Sequence, residues 1–314
     1  MLALACSFMN SAPRISIVTP SYNQAAFLEK TILSVLNEGY SNLEYIIVDG
    51  GSTDASVDII RKYERHLAWW VSEKDRGQAH ALNKGLAHCT GAIFAFLNSD
   101  DLYLPGAFNA VAQAFEQDRN LEWLAGGWLM FGEESLYENK NWWHMPWVPV
   151  DAAAAIHFNY MASQPAHFWK RDTVERIGGF DERYSYCFDH DLYLRLLLDG
   201  HQCRRADRPL AAYRLHEASK TALTTAWGGE PKMIYDRYID RMPRHRVRDE
   251  ARRARHTQRF DKCYNDFQKA ILLRRKEQRW AAWKVFCGAV RSYPRSLATI
   301  AGLGCVRRLI LNAD

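Results

Sequence analysis

The sequence predicts an α/β fold, a mostly parallel sheet with helices on both faces, followed by a basic helical tail. Three observations carry that prediction. Short β-rich apolar runs alternate with helix-period segments through the first hundred residues, the pattern of a parallel sheet. Each run ends on turn-forming residues. The charge changes sign late in the chain: residues 231–314 hold 21 Lys plus Arg against 8 Asp plus Glu (+13), residues 1–230 hold 20 against 28 (−8), and together they give the overall +5.

Taken in order, Ile15–Val18 reads as a first strand, broken by Pro20-Ser21-Tyr22-Asn23. Leu28, Ile32, Val35 and Leu36 then share one helical face, and the helix stops at Gly39. Tyr45–Val48 is a second buried strand ending on Asp49-Gly50-Gly51, after which Ser52, Thr53 and Asp54 offer N-cap chemistry to a helix through about Tyr63. Ala68–Val71 is the third strand and Ala79–Ala87 the third helix; Ile93–Leu97 is the fourth strand and runs into Asn98-Ser99-Asp100-Asp101. In such sheets ligands bind where the C-terminal ends of the strands open into loops, and Asp49 and Asp100 both fall there. The middle, Leu121–Ala212, is less regular and concentrates Trp123, Trp128, Trp142, Trp143, Trp147 and Trp169, which serve either a substrate wall or a second core. Asp189–Asp199 is a helix with Gly200 beyond its end, and the chain after Trp227 is helical and basic.

Composition narrows the class. Hydrophobic residues at 48% and charged residues at 25% fit a globular protein and exclude disordered, collagenous and coiled-coil chains. No apolar run reaches the length of a membrane span, and Met1–Asn10 lacks the basic start and long apolar core of a secretion signal. The seven cysteines are scattered and form no Cys-x-x-Cys pair, which speaks against a disulfide framework or structural zinc and fits a reducing cytoplasm.

Four clusters can carry chemistry. Val48-Asp49-Gly50-Gly51-Ser52-Thr53-Asp54 places a carboxylate beside glycines that admit a ligand, or is an ordinary capped turn. In Leu97-Asn98-Ser99-Asp100-Asp101 adjacent acids leaving an apolar strand call for a cation or for exposure. Phe188-Asp189-His190-Asp191-Leu192 opens an amphipathic helix with acids that can cap it or act as a base. Tyr213-Arg214-Leu215-His216, followed by Ser219-Lys220-Thr221, groups cations suited to a diphosphate or its metal.

In this order, and joined by Ile17-Val18-Thr19-Pro20-Ser21-Tyr22-Asn23, Glu73-Lys74-Asp75-Arg76-Gly77-Gln78, Asn83-Lys84-Gly85 and Gly178-Gly179-Phe180-Asp181-Glu182, the clusters resemble the family-2 glycosyltransferases. These are inverting enzymes of the GT-A fold that use nucleotide-diphosphate sugars; the match runs from about Arg14 to Thr221 and leaves the tail uncovered. The resemblance implies a donor site at Thr19, Pro20, Tyr22, Asp49, Asp75, Gln78, Lys84, Asn98, Ser99, Asp100 and Arg214, with Asp49 on the nucleoside and Asp75 as a second contact there. It implies Mn2+ or Mg2+ at Asp100 and His216, a catalytic base at Asp189, and an acceptor side that includes Trp169 and Asp191. The chain departs from the family's Asp-x-Asp motif at Asn98, a neutral amide where the first acid stands.

The implied partners are a nucleotide-diphosphate sugar, UDP first among the nucleotides, and a glycan or lipid-linked glycan acceptor in cell-surface polysaccharide or glycolipid synthesis. The implied domains are an extension over 1–13, a catalytic domain over 14–226 with a nucleotide half to 120 and an acceptor half from 121, and a basic subdomain over 227–314. Arg241, Arg244, Arg246, Arg248, Arg252, Arg253, Arg255 and Arg259, ahead of Trp280, Trp283, Val285 and Phe286, suit contact with the inner membrane face or packing on the body with charges in water. No motif supports nucleic-acid binding. Two other functions compete: a catalytically idle sugar-nucleotide binder docked at the membrane, and a nucleotidyltransferase, for which Thr19–Gln24 lacks the glycine-rich basic loop.

Overall fold

The computed structural model describes residues 12–132, 143–145, 151–156, 163–214, 216, 229–251 and 279–292. Met1–Asn10, Trp142, Trp147, the Ser219-Lys220-Thr221 run, Arg252, Arg253, Arg255 and Arg259 lie outside the described residues. The described chain forms two compact units, one of residues up to Arg241 and one of residues from Met242.

The first unit begins as predicted. Strands β1 (Ile15–Ser21), β2 (Leu43–Asp49), β3 (Trp69–Ser72) and β4 (Ile93–Phe96) alternate with helices α1 (Leu28–Leu36), α2 (Ser56–Tyr63) and α3 (Gln78–His88). All four strands pair in parallel, in the spatial order β3-β2-β1-β4. The side-chain period of two sends Ile15, Ile17, Tyr45, Ile47, Ile93 and Ala95 to one face, against Leu28, Ile32 and Val35 of α1. Helix α3 covers the opposite face so closely that a Cβ on Gly85 would stand 2.5 Å from Val18 Cγ1. The glycine of the Asn83-Lys84-Gly85 motif is therefore a packing requirement.

After β4 come β5 (Leu102–Tyr103), α4 (Ala107–Gln117), β6 (Trp123–Phe131), β7 (Trp143–Met145), α5 (Ala152–Ala155), β8 (His167–Lys170), α6 (Arg171–Arg176), α7 (Phe188–Leu198), β9 (Arg204–Arg214) and α8 (Glu230–Tyr238). These strands extend the sheet as β4-β8-β6-β9-β5, with β7 on β6. They mix directions: β8 runs antiparallel to β4 and β6, whereas β9 runs parallel to β6. Trp123, Trp128 and Trp169 are buried, so for these three the second-core reading holds. Trp169 and Phe188 both pack on Phe96, with centroids 6.3 and 6.1 Å away, which ties the start of α7 to the C-terminal end of β4.

The second unit contains α9 (residues 244–251) and α10 (Arg279–Ser292). Helix α10 buries Ala282, Phe286 and Ala289, one stripe at helical spacing. No helix among the described residues is long and apolar enough to cross a membrane.

Candidate active site

A cleft of about 520 Å³ opens at the C-terminal edge of the parallel strands. Each strand end contributes: Pro20 at the end of β1 and Tyr22 just after it, Gly50 after β2, Lys74 and Asp75 after β3, and Asn98, Ser99 and Asp100 after β4, with Gln78 from the first turn of α3. Of the donor residues expected from sequence, the cleft therefore gathers Pro20, Tyr22, Asp75, Gln78, Asn98, Ser99 and Asp100. Tyr22 is 60% exposed, an aromatic face available at the rim.

Asp49 does something other than expected. Its carboxylate is fully buried; Oδ2 accepts from the N–H groups of Gly51 (3.1 Å) and Ser52 (2.8 Å) and from Ser72 Oγ (2.7 Å), and Oδ1 accepts from Ser52 Oγ (2.5 Å). Four donors from its own surroundings hold this carboxylate in the turn, so in place of the nucleoside contact expected of Asp49 the structure shows this structural role. Nor do Ser52 and Thr53 cap α2: Ala55 holds the N-cap position without a side-chain bond, and Asp54 accepts instead from the N–H of Ser56 (3.0 Å) and of Ala25 (3.0 Å).

The carboxylate that reaches the cleft from the end of β3 is Asp75. Its Oδ1 accepts from the Gly77 N–H at 2.8 Å, and its Oδ2 lies 2.7 Å from where a Cβ on Gly50 would stand. Gly50 has no side chain because Asp75 occupies that space. The sequence carried the signal, two glycines after Asp49, but not the distant residue that fills the gap.

Around Asp100 the chain is tightly braced. Arg214 donates from Nε to the Asp100 carbonyl (2.8 Å) and from its main-chain N–H to Asp101 Oδ1 (2.9 Å), while its guanidinium stands over the rings of Phe27 and Phe131 at 5.1 and 4.6 Å. Arg214 is 2% exposed and absent from the cleft wall, so its donor contact is corrected to a brace of the loop. Asp101 is fully buried; burial first, and then the charge of Asp100, push its carboxyl well above the usual range. His216 Nε2 lies 2.9 Å from Asp100 Oδ2, and the Asn98 side-chain Oδ1 accepts from Gln78 Nε2 at 2.7 Å.

Asp100 and His216 therefore present an oxygen and a nitrogen to one point. That donor pair, completed by diphosphate oxygens and water, fits a small divalent cation. Among the described residues no group of three His, Cys, Asp or Glu side chains comes together.

Four more expectations change. Thr19 is buried, sharing a 3.1 Å hydrogen bond with Tyr45 Oη, and does not line the cleft. Lys84 pairs with Glu73 at 2.6 Å, outside the cleft wall. Trp169 is a core residue without exposure, so it is no acceptor surface. Asp191 is likewise fully buried, bound by Tyr238 Oη at 2.6 Å and Arg195 Nε at 2.7 Å, and cannot meet an acceptor. Asp189 is half-buried, the second residue of α7, with Oδ1 accepting from the His190 N–H at 2.7 Å. Lys74 and Tyr213 also line the cleft; both stand inside motifs read from the sequence, Glu73–Gln78 and Tyr213–His216, yet neither was singled out there as a site residue.

Comparisons with known proteins agree with one another. Residues 16–156 match the family described as Glycosyl transferase family 2. The chain is 31% identical over 191 residues to glycosyltransferase Rv1514c of Mycobacterium tuberculosis, covering 60% of this chain and 71% of that one. It is 41% identical over 97 residues to the putative teichuronic acid biosynthesis glycosyltransferase TuaG of Bacillus subtilis, covering 29% of this chain and 38% of the relative. In fold it is similar to S. aureus TarS 1–349 in complex with UDP-GlcNAc, with TM-score 0.54 and 16% identity over 73% of this chain and 72% of that one. It is also similar to the mannosyltransferase PcManGT of Pyrobaculum calidifontis in complex with GDP-Man and Mn2+, with TM-score 0.56 and 17% identity over 95% and 79%.

Proposed function

The chain belongs to glycosyl transferase family 2 and has its GT-A fold, and on that premise we propose that it is an inverting, metal-assisted glycosyltransferase of cell-surface polysaccharide or glycolipid synthesis. The observation that carries the proposal is the cleft itself, which draws Asp75 and Asp100 to one sheet edge while Phe188 holds the start of α7 on the end of β4. The donor is a nucleotide-diphosphate sugar, with UDP the first choice because the TarS neighbour binds UDP-GlcNAc. The acceptor is a hydroxyl of a glycan or lipid-linked glycan, in keeping with the name of TuaG.

In this reading Tyr22 and Pro20 flank the base, Asp75 accepts one of its N–H groups, and the Asn98–Asp100 loop faces the diphosphate. Asp100 and His216 would hold Mn2+ or Mg2+, whose chemistry is to neutralise charge on the departing diphosphate. Asp189 takes the proton of the acceptor hydroxyl as that oxygen attacks the anomeric carbon and the nucleoside diphosphate leaves. One displacement without a covalent intermediate inverts the configuration. The nucleotide and acceptor held together at one edge make the step effectively unimolecular.

The proposal includes membrane contact. Trp280, Lys284, Cys287 and Arg291 share the exposed face of α10, opposite its buried stripe, and a tail of charge +13 favours an anionic surface. No observation favours the idle-binder alternative. Thermal shift against UDP, dTDP and GDP, with and without Mn2+, names the nucleotide, and Asp189→Asn abolishes transfer while the nucleotide shift stays. Wild-type turnover in that variant would remove Asp189 from the base role.

A further inference from the structure

Helix α8 grips the start of α7 at two points, one on each side of Asp189. Ahead of it, the Glu230 carboxylate accepts from three consecutive main-chain N–H groups: Ser185 at 2.7 Å on Oε1, and Tyr186 and Cys187 at 3.0 and 2.9 Å on Oε2. Behind it, Tyr238 Oη donates to the buried Asp191 at 2.6 Å. Cys187 is the N-cap residue of α7 and has no side-chain cap of its own, so the carboxylate that satisfies this helix start comes from a residue 43 to 45 positions later. Asp191 passes the grip on: it holds Arg195, which donates to the carbonyls of Ile177 and Gly179 at 2.7 Å each. Asp189 stands between these two anchors.

We propose that Glu230 is a positioning residue that sets where the Asp189 carboxylate meets the acceptor hydroxyl. The inference rests on the reading of Asp189 as the base. A carboxylate that holds three amides of one turn fixes both the position and the direction of the helix it opens. Proton transfer in a displacement tolerates little misplacement: an error of about 1 Å costs on the order of 100-fold in rate. Glu230→Gln keeps the size but leaves one carbonyl oxygen and turns an amide group toward three N–H donors. Glu230→Ala removes all three bonds.

The test uses the full chain and the release of nucleotide from whichever UDP-, dTDP- or GDP-sugar the wild type turns over, with Mn2+ and its acceptor. Glu230→Gln and Glu230→Ala are expected to lower kcat by about 10- to 100-fold. The donor KM and the UDP-induced thermal shift stay within about twofold of wild type, a split that a general loss of structure would not give. Hydrogen exchange in Glu230→Gln rises at residues 185–191 and not at the strand ends that line the cleft. If both Glu230 variants keep wild-type kcat while Asp189→Asn is inactive, the positioning role is wrong and the base reading stands. If Asp189→Asn keeps its turnover, the base reading fails and takes this inference with it. A fall in kcat accompanied by an equal loss of the UDP-induced thermal shift makes Glu230 a plain structural residue and overturns the proposal.

Discussion

Asp49 and Asp75 show how a carboxylate's neighbours decide its work. Asp49 ends β2 and Asp75 follows β3 at the same sheet edge; one is held by four donors, and the other enters the cleft through the space that Gly50 leaves. Asp75→Asn replaces a charged acceptor by a neutral one and should weaken nucleotide binding by ~1.5–3 kcal/mol, about 10- to 100-fold, in a calorimetric titration with UDP. Gly50→Ala should weaken it in the same direction without replacing any ionisable residue, because the new methyl displaces the Asp75 carboxylate. Unchanged affinity in both variants would take Asp75 out of the base contact. Asp49→Asn acts differently: it leaves Ser52 and Ser72 with a weaker acceptor, and its cost appears first in the melting temperature.

At the scale of elements, α7 is held by groups that depend on pH. His190 is buried directly behind Asp189, and burial pushes its imidazole down to about 3, against a hydrogen bond to the Ala155 main chain that works the other way. The unfolded chain takes up a proton near the ordinary histidine value and the folded chain does not. Stability is therefore full above about pH 6.5 and falls by ~1.4 kcal/mol for each unit below it, until the folded group itself titrates. His190→Gln should flatten the fall of melting temperature between pH 6.5 and 4; an equal slope in both proteins would contradict a neutral buried His190. The elements also mark how far the sequence could be read. β1 to β4 and α1 to α3 were legible because alternation and turn chemistry are local. Asp100 was placed at the strand-end edge by the same local reading, whereas Pro20, Tyr22, Asp75 and Gln78 came from the family resemblance and not from the pattern of strands. What was not legible depends on partners far along the chain. Nothing near Trp169 says that Phe96 will cover it, nothing near Asp191 announces Tyr238, and Arg214 becomes a brace only because Asp100 and Asp101 lie beside it in space.

For the whole molecule, charge predicts behaviour that the sheet does not. With +13 over residues 231–314 and Trp280 75% exposed on α10, the full chain should float with phosphatidylglycerol vesicles at low salt and release as salt rises. Trp280→Ser with Lys284→Glu should reduce that binding several-fold while thermal shift with UDP is unchanged. Equal flotation with neutral vesicles would contradict an electrostatic contact. The order of the sheet has a consequence of its own. β5 sits at the sheet edge with β9 as its partner, and the loop bearing Asp100 leans on Arg214 and His216 from the end of β9. On the ribosome, β1 to β4 can assemble as soon as they emerge, with Thr31 of α1 already holding the carbonyls of Ser99 and Asp101, yet the contacts of the acidic loop with Arg214 and His216 form only after more than a hundred further residues have been made. A chain stopped short of residue 204 keeps the parallel strands and lacks Arg214 and His216, so half-made protein carries the Asp100 loop without the brace that the finished sheet gives it.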